Sequence, residues 1–172
     1  MADSGNDLFA EDLRQLRQIL EPLVQQFTLL EGMLRREQEA LRRRDVETLE
    51  SLSSQIAEQL TRIRAIDQLR QRVTTQLGKR LGLPPTGMTL ETLDKAMGGK
   101  TGLQEIRTQL RQSIHQADAV NRENQAVFTG VLAATDSILA ALQGGVSGSS
   151  ASYNRLGSRR TGSRFNLLSK QL

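Results

Sequence analysis

The sequence has no cysteine and no tryptophan, and only one histidine, one tyrosine and three prolines in 172 residues. Without cysteine there is no disulfide framework, no thiolate metal site and no cysteine nucleophile. With His115 alone, most general-base and metal chemistry goes too. Aromatic residues are 3% of the chain, so a core has to be built from Leu, Ile, Val and Ala instead of ring bulk. Long hydrophobic runs are also missing. The most apolar stretch, residues 126–142, is broken by Gly130, Asp136 and several hydroxyls, and is too short and polar to span a bilayer. The first residues are acidic, with no basic segment ahead of an apolar one, so no secretory signal is expected. The expectation is a cytoplasmic protein without membrane insertion.

What is present is the vocabulary of long helices. The chain is 37% hydrophobic and 24% charged, and rich in Leu, Arg, Gln and Glu. Its net charge of +4 is unevenly spread. Asp3, Asp7, Glu11 and Asp12 stand near the start without a base, while Arg155, Arg159, Arg160, Arg164 and Lys170 stand near the end without an acid. A near-neutral body with a basic tail is weak support for a nucleic-acid-binding domain.

The apolar spacing predicts the elements. Leu13, Leu16, Leu20, Leu23, Phe27, Leu30, Leu34 and Leu41 step by three and four, a heptad seam in which Glu37 is the one polar position. Asp7 is its candidate cap, and Pro22 inside it predicts a kink, or else a separate short helix before residue 21. Arg42-Arg43-Arg44-Asp45 interrupts the seam, and Asp45 reads as the next N-cap. A second seam follows through Leu49, Leu52, Ile56, Ile63, Ile66, Val73 and Leu77, with Leu60 and Leu69 broadening it. Two helices joined so tightly should fold back as an antiparallel hairpin. Gly82-Leu83-Pro84-Pro85-Thr86-Gly87 ends the second helix, Thr89 caps a short one over 90–97, and Gly98-Gly99 stops that. A third long helix is expected from about Gly102 to Leu142, its seam running through Leu103, Ile106, Leu110, Ile114, Ala117, Val120, Asn124, Phe128, Val131, Thr135, Ile138 and Leu142.

These readings predict an all-α fold: an elongated antiparallel three-helix bundle over 1–143, made of a coiled-coil-like hairpin and a long third helix. Residues 144–172 read as a flexible Gly/Ser linker and a basic C-terminal tail. Tyr153, Leu156, Phe165 and Leu168 are apolar anchors in that tail, suited to ordering on a partner.

No motif carries catalysis or a cofactor. Gly99-Lys100-Thr101 ahead of a helix lacks the earlier P-loop glycine, since Asp94 stands there, and a helix precedes it where a strand is needed. His115 and Asp118 are one turn apart, too few for a helical metal site. Arg42-Arg43-Arg44 lies among Glu37, Glu39, Asp45 and Glu47, as a solvated helix end would. The bundle core explains most leucines, but not a third helix that outlasts its hairpin partners. Its exposed side around Val127, Phe128, Val131 and Leu132, continued by the tail, is the candidate partner site; Phe128 is in the seam and suits the core equally well.

The run Leu34-x₃-Gln38-Glu39-Ala40-Leu41-Arg42-Arg43-Arg44-Asp45-Val46-Glu47-Thr48-Leu49 resembles the hairpin of the flagellar export chaperone family FlgN. Asn121-x-x-Asn124 before an apolar run is similar to that family's paired asparagines, so the resemblance adds Asn121 and Asn124 to the candidate partner-binding residues, and Tyr153-Asn154-Arg155-Leu156-Gly157 is similar to its short tyrosine-to-glycine element. The resemblance implies a non-enzymatic cytoplasmic chaperone of flagellar type III export. Such a protein binds hook–filament junction subunits of the FlgK and FlgL type and delivers them to the export gate. It also implies that Tyr153, Leu156 and Gly157 belong to an element that contacts the gate. Two other readings compete: a self-associating structural coiled coil, and an RNA-binding regulator that uses the basic tail.

Overall fold

The computed structural model describes residues 4–84 and 88–144. Four helices follow in order: α1 (Ser4–Arg43), α2 (Val46–Arg80), α3 (Leu90–Ala96) and α4 (Leu103–Gly144). At 1.5 Å per residue the three long helices run to about 53–63 Å. The core is the aliphatic one that the composition demands. Leu16, Leu20, Leu23, Phe27, Leu30 and Leu34 of α1 are buried with Ile63, Val73 and Leu77 of α2 and Leu103, Leu110, Ile114 and Ala117 of α4.

Helix α1 is the one both others lean on: it packs against α2 on one side and α4 on the other. The cross-helix pairs give the directions. Arg80 reaches Asp12, Gln59 Nε2 donates to the Gln26 carbonyl at 2.9 Å, and Arg36 Nη2 donates to Gln55 Oε1 at 3.4 Å, so α2 runs antiparallel to α1. Arg17 donates to the Thr101 carbonyl and Gln38 Nε2 to Glu123 Oε2 at 2.8 Å, so α4 runs parallel to α1. The bundle is up-down-up.

Several expectations change. Helix α1 is already formed at Ser4, ahead of the expected cap Asp7; it continues through Pro22 as one helix of 40 residues, as the unbroken apolar phase predicts, and not as a separate short helix before residue 21. Leu69, expected to broaden the α2 stripe, is 46% exposed. The stripe instead passes through Gln59 and Arg70, both buried. These are the positions where steps of three and four from Ile56 and Ile66 fall. Arg70 is fully buried, and its Nε donates to Asp67 Oδ1 at 2.7 Å. Gln71 Nε2 donates to Asp67 Oδ2 at 2.6 Å, and Arg70 Nη2 has no hydrogen-bond partner.

The hairpin turn is built from two residues with separate tasks. Arg44 N–H donates to the Leu41 carbonyl and Asp45 N–H to the Ala40 carbonyl, at 3.2 and 3.0 Å, the paired bonds of a Schellman ending. That ending places Arg44 at a φ of 58°, the left-handed region. Asp45 then caps α2, accepting from Thr48 N–H at 3.0 Å and Thr48 Oγ1 at 2.6 Å. The Thr48 hydroxyl and amide, helped by Arg43, hold the Asp45 carboxyl below its ordinary range. Because only Arg44 is conformationally strained here, Arg44→Gly is expected to raise stability by about 0.5–1 kcal/mol. That is a rise of about 1–4 °C in thermal midpoint, checked by circular-dichroism melting; an unchanged or lower midpoint would show that the left-handed arginine is not strained.

Candidate functional site

Helix α4 begins as a bundle helix. Just ahead of it the Thr101 hydroxyl accepts from Leu103 N–H at 3.2 Å while donating to Asp94 Oδ1. Asp94 also accepts from Thr101 N–H at 3.3 Å, and Arg17 closes the corner on the Thr101 carbonyl. Gly99-Lys100-Thr101 is therefore the α3–α4 corner, organised around a carboxylate that a phosphate would repel. His115 is exposed, and Asp118 pairs with Arg122 at 2.6 Å. Among the described residues no three His, Asp or Glu side chains are grouped as metal ligands.

The seam of α4 stays buried from Leu103 to Asn124. At its far end the two polar seam positions meet. Asn124 Nδ2 donates to the Leu34 carbonyl and to Glu37 Oε2, both at 2.8 Å. Asn124 is 1% exposed in this bundle and joins α4 to α1; Asn121, one turn earlier, is half-buried. Beyond this layer every residue from 126 to 140 is exposed. The register of Gln38 on Glu123 brings the end of α1 level with residue 128, so about 24 Å of α4 projects past the hairpin.

The projection is apolar. Phe128, Val127, Leu139, Val131, Ile138 and Leu132 are between 39% and 64% exposed, and Asp136 is the one ionisable residue in 126–144. Its hydroxyls turn inward along the helix. Thr129 donates to the Gln125 carbonyl at 2.9 Å, Thr135 to Val131 at 2.9 Å and Ser137 to Ala133 at 2.8 Å. A partner could cover this helix without stranding a hydroxyl, which is the usual penalty for burying Ser and Thr. Phe128, Val131, Thr135 and Ile138 continue the same heptad steps that bury Leu110, Ala117 and Val120 lower down. The seam continues after its bundle partners have stopped.

The structure thus brings Val127, Phe128, Val131 and Leu132 onto one projecting helix, and resolves the ambiguity at Phe128 in favour of exposure. Tyr153, Leu156, Gly157, Phe165 and Leu168 lie outside the described residues. Ile138 and Leu139 extend the surface a further two turns; their seam and flank positions were visible in the heptad steps. Comparison with models of known families matches residues 12–161 to the one described as FlgN protein. No curated protein and no solved structure matches the chain.

Proposed function

Because the chain belongs to the FlgN family, and so is a cytoplasmic flagellar export chaperone for the hook–filament junction proteins FlgK and FlgL, we propose that it holds these clients on the projecting end of α4. The observation that carries this reading is the unpartnered seam. A seam of 3–4 spacing is built to receive another amphipathic helix, and Phe128, Val131 and Ile138 offer one the same knobs that pack α4 on α1. Fully burying each large aliphatic side chain is worth about 1.5–3 kcal/mol, so a few of them suffice for firm binding. No reaction is involved; chaperones of this family shield and deliver.

The tail element Tyr153-Asn154-Arg155-Leu156-Gly157 serves the second contact, with the export gate. It falls within the matched span and outside the bundle seams. Tyr153 can bury its ring while keeping its hydroxyl bonded, which suits a transient handover. Tyr153→Ala is expected to leave helicity, melting and client affinity unchanged while weakening binding to the gate's cytoplasmic part. Titration of that gate fragment against wild type and variant checks it, and equal affinities would remove Tyr153 from the contact. The apolar client interface is further distinguished from RNA contact by the tail, whose affinity would fall steeply with salt.

A further inference from the structure

The last eleven residues, 162–172, lie beyond the span that the family accounts for. They contain Phe165, Leu168 and Leu172, at steps of three and four, with Leu167 alongside. On a helix those three share one face, the pattern that a heptad seam receives. We propose that this segment of the chain docks on the projecting seam of α4 when no client is present, as an occupant in cis.

Three observations select this occupant. First, reach: residues 145–164 separate the two surfaces, and half of those residues are Gly or Ser. A Gly-rich chain of that length has an end-to-end span of about 25 Å, against about 21 Å from Phe128 to Leu142 along the helix. A tether matched to its span gives an effective concentration in the millimolar range, so even a short apolar face competes well in cis. Second, charge: Arg164 precedes the anchors and Lys170 lies among them with no acid in the tail, and Asp136 is the one ionisable residue on the projection. Third, the hydroxyls of Thr129, Thr135 and Ser137 are already bonded to their own helix, so covering the projection strands none of these three. A client helix would displace the segment from the same seam; that part rests on the client site proposed above, whereas the contact itself does not.

The absence of cysteine permits a direct test on the full chain. Ser137→Cys carries a single spin label on the projection, and backbone amide signals of residues 165–172 are recorded with the label oxidised and reduced. The expected result is strong broadening of those amides that is unchanged on tenfold dilution and abolished by Phe165→Asp with Leu168→Asp. No broadening, or broadening that survives the double substitution, would overturn the proposal. Mixing spin-labelled chain with isotope-labelled, unlabelled-spin chain separates the remaining case: broadening that appears in the mixture would assign the seam to a second copy and also overturn it. Saturation with FlgK or FlgL should then restore the signals. Broadening that persists with client bound would leave the tail contact standing and move the client site elsewhere.

Discussion

Asp67→Ala is expected to cost the fold about 3–5 kcal/mol, a large share of the total for a domain of this size. The reason is the fate of Arg70. Its guanidinium is buried in the α2 seam, Asp67 is its one carboxylate partner among the described residues, and Nη2 has no hydrogen-bond partner among them. Removing the carboxylate leaves a buried cation uncompensated, the circumstance in which a single deletion is most damaging. Replacing both groups, as Asp67→Leu with Arg70→Met, should recover most of the loss, since the stripe then becomes aliphatic like its neighbours Ile63 and Val73. Urea denaturation of the wild type, the single variant and the double variant measures the difference. A double variant no more stable than the single one would mean that the pair contributes by shape and not by charge.

Val131→Asp is expected to lower affinity for FlgK and FlgL by about a hundredfold, equivalent to about 2.7 kcal/mol, while changing stability by less than about 0.5 kcal/mol. Val131 is 57% exposed and touches no core, so the bundle has nothing to lose. A client that buries it would have to desolvate a carboxylate in an apolar seam. Leu29→Asp provides the control, since Leu29 is also more than half exposed but lies on α1 within the bundle. Calorimetric titration of both variants settles the location: equal losses would indicate a general effect of surface charge, and an unaffected Val131→Asp would place the client elsewhere.

The fold was legible because its signals are local. Asp45 and Thr89 cap helices where their side chains and the apolar spacing said they would, and the hairpin follows from the tight turn between two seams. Glu37 and Asn124 were each visible as a polar break in a seam, though their pairing depends on how α1 and α4 are staggered, which spacing along one helix does not contain. Gln59 and Arg70 escaped notice for a different reason: hydrophobic periodicity counts only apolar residues, so a polar side chain in a seam reads as a gap and a nearby Leu69 as its filler. The projecting face was legible in part. Its residues could be named from the third seam, but the exposure of Phe128 rests on where α1 ends relative to α4, a tertiary fact.

The central position of α1 also sets an order of disassembly. The Arg36–Gln55 hydrogen bond joins α1 and α2 across only 19 positions, and the hairpin closes from the Arg44-Asp45 turn, so it is held by near neighbours in the chain. Hydrogen bonds of α1 with α4 join residues 84 to 90 positions apart, so closing them costs more chain entropy than closing the hairpin does. A force applied to the far end of α4 would load the Asn124 layer before the layers nearer the α3–α4 corner. Were a client held on the projection as proposed, tension drawn through it would fall first on the α4–α1 contacts at Asn124, and the locally closed hairpin would be the part left to reseat α4 for another round.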